Sequence, residues 1–495
     1  MSASNASQKQ DLFLGFDVGT QSTKALVLDV ERGEVVARAA LAHGLSPDLP
    51  PGHLEQHPET WLEAVASTCR EVLQQVDPAR IAGLGVSGQQ HGCVVLDGAA
   101  RVVRPAKLWC DTATAAEARE LSARLGRAVP TGFTASKLLW LARHEPAHWA
   151  QVRHVLLPHD FVNFRLTGLA SMEFGDASGT GFFDPVERIF DRVAMHAIDA
   201  RLPGLLPPLR QPGELAGRLS AAGAALLGLP RGLPVAAGGG DNMMAAIGSG
   251  ATRAGVVVVS LGTSGTIFTR ADAPVVDPRG LIAPFCSSDG AWLPLLCVMN
   301  LTGVTEEVKA LTGLDHATLT ALAAPVPTGC DGLTWLPFLA GERVPDLPEA
   351  TGTLLGMRPG LLRPGHLYRA ALEGTSCNLG AGLDRLRSLG VSIDEVRLVG
   401  GAAKNPLWRQ ILASVFGVPV RPLVETEAAA LGAALQAMWS VRRAAGAADL
   451  TIDAVAKPFV QLADAVTPDS RQAVLWRALQ ARFTAEVERL HPGSR

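Results

Sequence analysis

Apolar and polar positions along this chain follow two periods, one of strands and one of helices. Leu12-Phe13-Leu14-Gly15-Phe16 is apolar, Asp17 to Thr23 is small and hydroxylated, and Lys24 to Val30 is apolar again, which predicts a strand, a glycine turn and a second strand. Trp61, Leu62, Val65, Cys69, Val72, Leu73 and Val76 recur at helical spacing, so Glu59 to Val76 reads as an amphipathic helix. Ile81 to Val86 and Cys93 to Leu96 read as strands flanking a loop. Further on come a helix over His366 to Leu389, a strand over Glu395 to Val399, a Gly400-Gly401 break and a helix from about Asn405. That order places a nucleotide at a strand's carboxyl end. Ala428 to Val441 is another apolar helix, and the remainder to Arg495 reads as a helical tail.

The opening pattern returns far downstream. Val259 to Thr266 lies over Phe16 to Thr23 at a constant offset of 243 residues (Asp17 to Ser260), with Gly, Thr and the final Thr coinciding. A single repeat near half the chain points to two domains of like construction rather than a short tandem array. The expected division is 11–253, 254–445 and a tail over 446–495. In 495 residues there are 44 Lys+Arg against 47 Asp+Glu, so no electrostatic footprint for nucleic acid or an anionic membrane exists and the expected partner is a small molecule. The seven cysteines are scattered without a C-x-x-C and read as reduced thiols. A polar N-terminus and uncharged runs no longer than 16 residues lead to the expectation of a cytoplasmic protein.

Asp17-Val18-Gly19-Thr20-Gln21-Ser22-Thr23 has the parts of a phosphate-binding hairpin: glycine admits close approach, successive N–H and hydroxyl groups donate, and a strand-end carboxylate can hold hydrated magnesium. A D-x-G-T turn is also an ordinary tight hairpin, and it is the second copy that strengthens the phosphate reading. Two such hairpins facing one another can grip a nucleotide across an interdomain cleft. Because Ser260 stands in place of Asp17, no second metal carboxylate is required. Gly238-Gly239-Gly240-Asp241-Asn242 precedes an apolar helix; Asp241 is either its N-cap or a base that accepts a proton from an attacking hydroxyl, with Asn242 on a polyol. The glycines would then clear space for a substrate. Gly83-Leu84-Gly85-Val86-Ser87-Gly88 matches the dinucleotide-binding spacing, but its glycines lie within a strand and no helix follows, so that reading fails. Gln90 and His91 fit better as loop side chains facing a polar ligand. His53-x-Glu55-x-His57 lies in a proline-rich loop rather than on a metal-binding helix, His159-Asp160 reads as fold-bearing, and no Walker A sequence occurs.

Taken in order, GFDVGTQSTKALVLD, GVSGQQHG, KLWCDT, GFTASKLLW, LLPHDFVNFRLTG, AAGGGDN, VVSLGTSGTIF, LPFLAGERVPD, ALEGTSCNLG and LVGGAAKNPLWRQILASVFG resemble the FGGY carbohydrate kinases. The resemblance implies an α/β protein of two ribonuclease-H-like, actin-type ATPase domains with an interdomain catalytic cleft, using ATP and Mg²⁺. Within the family, GVSGQQHG, KLWCDT, GFTASKLLW and AAGGGDN look most like the members that phosphorylate O5 of D-xylulose; members acting on ribulose or glycerol remain as alternatives, and a non-enzymatic ATP-dependent binding protein is the remote one. The resemblance makes Asp241 the catalytic base and Asp17 the carboxylate needed near metal and phosphates. It places Gln90 and His91 on the sugar, with Trp109, Asp111 and Asn242 completing the pocket. Gly19, Thr20, Gly262 and Thr263 would face phosphates, and Gly400, Gly401 and Asn405 the adenosine. It also implies a homodimer. Gln90 departs from the Met often found beside this His, adding hydrogen-bonding capacity at the sugar.

Overall fold

The computed structural model describes residues 10–493, which form two compact units. The first comprises the chain up to Thr252 together with Phe285–Leu293 and Glu427–Val460; the second comprises Arg253–Pro284, Pro294–Thr426 and residues from Gln461 onward. The chain first passes from one unit to the other between Thr252 and Arg253, and the units are not continuous in sequence. Residues 427–460, expected to divide between a second domain and a tail, fold into the first unit instead.

The first unit is built on a seven-stranded sheet in the order Leu215–Arg218, Pro234–Ala236, Ile81–Gly88, Leu12–Val18, Ser22–Asp29 and Glu34–Ala42, with Gly239–Gly240 also paired to Ile81–Gly88. Leu12–Val18 runs antiparallel to Ser22–Asp29 and parallel to Ile81–Gly88, so the first hairpin lies beside a strand buried at every residue. The second unit repeats this plan in a six-stranded sheet. Gly255–Leu261 runs antiparallel to Gly265–Thr269 and parallel to Ile393–Val399. The strand ends keep the sequence offset, Val18 matching Leu261 and Ser22 matching Gly265. An antiparallel hairpin beside parallel strands in each unit is the ribonuclease-H-like arrangement that the family resemblance implies.

Helix Ala428–Ala444 joins the first unit because its small-residue face lies backbone to backbone on glycines. A Cβ on Gly15 would stand 2.0 Å from the Ala430 carbonyl oxygen, and one on Gly85 2.2 Å from that of Ala433. The same helix crosses helix Asp241–Gly248 at two further glycines: a Cβ on Gly432 would meet the Met244 oxygen at 1.8 Å, and one on Gly248 the Ala428 oxygen at 1.8 Å. These contacts explain the glycines of the Gly83 to Gly88 stretch. Gly83 faces Val441, Gly85 faces Ala433 and Gly88 faces His159, so the spacing that mimics a dinucleotide motif is a packing surface.

Helix Pro58–Val72 covers the same sheet with Trp61, Val65, Cys69 and Val72 fully buried, ending four residues before its expected end. All seven cysteines are free, and burial pushes the thiols of Cys69 and Cys286 up to about 12, so they are inert as nucleophiles. No helix among the described residues is long and apolar enough to cross a membrane.

The packing yields a test. Gly432→Ala must push two helix backbones apart, a small-to-large change of the kind that costs ~1–3 kcal/mol or more. The expected result is a lowered denaturation midpoint with the same size of loss for Gly248→Ala, measured by near-ultraviolet circular dichroism in urea.

Candidate functional site

Strand Leu12–Val18 delivers Asp17 to its carboxyl end, where the parallel register places Ser87 opposite. The Ser87 hydroxyl donates to Asp17 Oδ1 at 2.9 Å. Loss of hydration nonetheless raises the Asp17 carboxyl above its ordinary range, the serine bond and the nearby Lys24 ammonium offsetting only part. Lys24 is itself held by Glu427 at 2.6 Å.

The turn after Asp17 is fixed by a buried amide network. Thr20 Oγ1 donates to Gln89 Oε1 at 3.0 Å and accepts from Trp109 Nε1 at 3.0 Å. Gln56, 1% exposed, donates through Nε2 to the Thr20 carbonyl at 2.6 Å, while its Oε1 accepts from Trp61 at 2.8 Å and Gln89 at 3.0 Å. The Thr20 side chain is thus spent on holding the turn, and what the turn has left for a ligand is backbone. Trp109 likewise braces Thr20 rather than standing free. Ser87, Gln89 and Gln56 lie outside the residues picked from the sequence; the partners that tie them to this turn, Asp17 and Thr20, are 36 to 70 residues away, and no local spacing marks them.

Helix Asp241–Gly248 begins at Asp241 itself, with Gly240 as the cap residue and no side-chain capping bond. The N-cap reading of Asp241 therefore fails. Its Oδ1 accepts from the Asn242 backbone at 2.8 Å and from Asn242 Nδ2 at 3.0 Å, and Nδ2 also donates to Gln90 Oε1 at 2.9 Å. Although Asp241 keeps partial access to solvent, burial pushes its carboxyl up to about 7, and the negative charges of Asp17 and Asp176 add to the shift. Gln90 Nε2 is buried without a hydrogen-bond partner, a donor whose orphaning costs free energy unless a ligand pairs with it. The three glycines before Asp241 make room for protein rather than for substrate: a Cβ on Gly240 would stand 2.7 Å from Gln90 Cγ, and one on Gly239 2.6 Å from Ser288 Oγ.

Behind Asp241 lies a sealed polar cluster. His159 meets Asp176 through Nδ1 at 2.9 Å and Asp160 through Nε2 at 3.0 Å, all three buried, and these carboxylates outweigh burial and hold the imidazole well above its ordinary value. Burial pushes Glu173 up to about 7; its oxygens accept from the backbones of Gly175 at 2.8 Å and Asp176 at 2.5 Å and from Ser288 at 3.0 Å.

Asp111 is not placed as a sugar ligand. It is 1% exposed, with Oδ2 accepting from Leu54 N at 2.9 Å and Lys107 Nζ at 3.1 Å and Oδ1 from Ala113 N at 3.1 Å. His53, Glu55 and Asp111 have a metal-like clustering, but the Lys107 ammonium sits among them, 2.9 Å from Glu55, 3.2 Å from His53 Nδ1 and 4.1 Å from the Trp140 ring. The cluster encloses a cation of its own.

In the second unit the Gly262 N–H closes its turn on Ser264 O at 3.2 Å, and the Leu301 and Thr302 N–H groups donate to the carbonyls of Thr263 and Gly262 at 3.1 Å each. Helix Thr302–Thr312 therefore starts against the turn, and it has no side-chain cap. A glycine turn beside an uncapped helix start suits phosphate oxygens. Gly400 has φ 92° and packs on the Leu261 carbonyl, and a Cβ on Gly401 would meet nothing within 4 Å. Gly400 and Lys404 help line a cavity of about 280 Å³. Asn405 is committed elsewhere, its Oδ1 capping Trp408 N at 3.1 Å and its Nδ2 donating to Thr320 at 2.9 Å.

The model of the FGGY family of carbohydrate kinases, N-terminal domain, matches residues 12–248, and that of its C-terminal domain matches residues 257–441. The xylulose kinase of Haemophilus influenzae is 41% identical over 447 residues, covering 87% of this chain and 90% of that protein. That of Escherichia coli is 35% identical over 417 residues, covering 82% and 85%. The crystal structure of xylulose kinase from Rhodospirillum rubrum superimposes with a TM-score of 0.87 at 29% identity, over 98% of this chain and 99% of that one.

The Lys107 cluster gives the next test. Lys107→Met leaves Glu55 and Asp111 buried with less compensation, and breaking such a pair costs ~3–5 kcal/mol. A strongly lowered melting temperature is expected, whereas chelator or added zinc leaves the wild-type melting temperature unchanged.

Proposed function

The chain belongs to the FGGY family of carbohydrate kinases, and from that premise we propose that it transfers the γ-phosphoryl group of ATP to O5 of D-xylulose. The observation that carries the reading is the linked set Gln90, Asn242 and Asp241, which sets an unpaired buried amide donor beside a base whose carboxyl titrates near neutrality. The names of the relatives support the choice of sugar.

In this mechanism the sugar hydroxyls pair with Gln90 and Asn242, and the attacking hydroxyl donates to Asp241. Asn242 holds one Asp241 oxygen from two donors, so the carboxylate is oriented before substrate arrives. A carboxyl near pH 7 is ionised for a useful fraction of the time yet basic enough to take the proton as the oxygen attacks phosphorus. With the Gly19 and Gly262 N–H groups closing their own turns, the main-chain N–H groups that follow them, at Thr20 and Thr263, would donate to phosphate oxygens, and Gly400 and Gly401 would face the nucleoside. Asp17 would hold Mg²⁺: its carboxyl is raised by burial and its charge adds to that of Asp176 against Asp241, an excess of negative charge that a divalent cation relieves. The ion supplies charge neutralisation on the phosphates. Such phosphoryl transfer asks chiefly for positioning and electrostatic stabilisation.

ADP formation is expected with D-xylulose and not without sugar, in a panel that also holds D-ribulose, L-ribulose, L-xylulose, glycerol and D-xylitol. Preferred turnover of another sugar would transfer the mechanism to that acceptor and remove the D-xylulose assignment; sugar-independent ATP hydrolysis would remove the kinase reading. Asp241→Asn should lower kcat by ~10²–10⁴-fold. The active base is the ionised form, so kcat/KM should rise with pH and level off above about 7, with a tenfold fall for each pH unit below.

A further inference from the structure

His91 turns the chain where few side chains allow it. Its φ is 63°, in the left-handed region, which is unfavourable for any residue with a Cβ. That turn sends the side chains of Gln90 and His91 in different directions. Gln90 reaches Asn242, while the His91 ring packs against Phe133 at 4.7 Å and Phe285 at 5.6 Å between ring centroids. Gly179 leaves the space for that ring, since a Cβ there would lie 2.0 Å from His91 Cε1. If the turn relaxed, the Gln90 amide would leave the position from which it meets a sugar hydroxyl.

The His91 carbonyl is the anchor of this turn, and a lysine holds it. Lys137, 1% exposed, donates from Nζ to His91 O at 2.7 Å and to Gly132 O at 2.5 Å, and Thr134 Oγ1 adds a bond to the same His91 carbonyl at 3.3 Å. A buried lysine ordinarily meets a carboxylate, whereas this amine spends its hydrogen bonds on two main-chain carbonyls. Burial pushes it down to about 7, so the site bears the cost of an ammonium desolvated for the sake of those carbonyls. Gly132 packs on the Trp109 carbonyl, where its Cβ would stand at 2.7 Å, so the amine links the Gln90-His91 loop to the segment that carries Trp109.

We propose that Lys137 is a positioning residue for the sugar: by gripping the His91 and Gly132 carbonyls it sets the left-handed turn that aims Gln90 at the substrate. The inference rests on the sugar-kinase reading above. Lys137 makes no bond of its own to either glycine turn and reaches Thr20 only at second hand, through Gly132 and Trp109, so its loss falls chiefly on the sugar. Lys137→Met keeps the length of the side chain and removes the donors; Thr134→Val removes the weaker donor and leaves the amine.

The experiment is steady-state kinetics of wild type and both variants, varying sugar and ATP separately, with melting temperatures recorded. The wild type is first run on the sugar panel, and its preferred acceptor is used throughout, so a wrong substrate assignment shows in the wild type alone. Lys137→Met should raise the KM for sugar at least tenfold while the KM for ATP stays within twofold. Thr134→Val should raise the sugar KM two- to threefold, again without change for ATP. An unchanged sugar KM in folded Lys137→Met, or parallel rises for sugar and ATP, overturns the proposal. Should Lys137→Met not fold, an unchanged sugar KM in Thr134→Val overturns it.

Discussion

The first unit depends on one steric constraint, the approach of helix Ala428–Ala444 to glycine backbone. At Gly15, Gly85, Gly248 and Gly432 a Cβ would come within 1.8–2.2 Å of a main-chain oxygen, so the close contact exists only because these residues have none. The contact does more than fill a core. Gly15 lies in the strand that carries Asp17 next to its last residue, Gly85 in the strand that ends before Gln89 and Gln90, and Gly248 ends the helix that begins at Asp241. One helix thus fixes the depth of all three elements that carry the site, and packed interiors transmit such placement with little compliance.

The same unit concentrates charge that water would otherwise screen. Asp17, Asp176 and Glu173 are all raised by burial, as is Asp241, and His159 offsets part of this between Asp160 and Asp176. Like charges at reduced hydration explain how an aspartate acquires the basicity of an imidazole without any histidine touching it. The Lys107 cluster is the opposite case. There an ammonium and Arg104 neutralise Glu55 and Asp111, and the result is a rigid support instead of a reactive group.

What could be read in the sequence was what is local. The two hairpins are consecutive residues with a period-two pattern and a glycine turn, and their recurrence at a fixed offset exposed the doubled architecture. Asp241 stood out because three glycines preceded it, although those glycines proved to accommodate Val86, Ser288 and Gln90. Asp111 and Asn405 matched a family pattern, yet their side chains are consumed by the fold, which only three-dimensional partners reveal. Gln56 and Lys137 gave no signal, because a buried amide or amine has no periodicity and the partners that tie them to the site, Thr20 and His91, lie 36 and 46 residues away. The return of residues 427–460 to the first unit was hidden for the same reason: the helix was legible, its destination was not.

The two units also differ in what they offer a ligand. Around Gly262, Thr263, Gly400 and Gly401 the second unit presents main-chain groups of turns that are partly or fully exposed. Backbone N–H groups read the charge and shape of phosphate but cannot tell one sugar from another. Around Asp241 the first unit presents oriented side chains, each held by a buried partner: Asn242 by Gln90, Asp17 by Ser87, and the Gln90-His91 turn by Lys137. On the proposed reading, discrimination between acceptors arises in the first unit, from the few side-chain donors whose directions the buried partners set. A pocket specified in this way changes its preference most readily through the residues that hold the donors, since moving an amide by an ångström alters which hydroxyl it can meet while leaving the base and the phosphate turns in place.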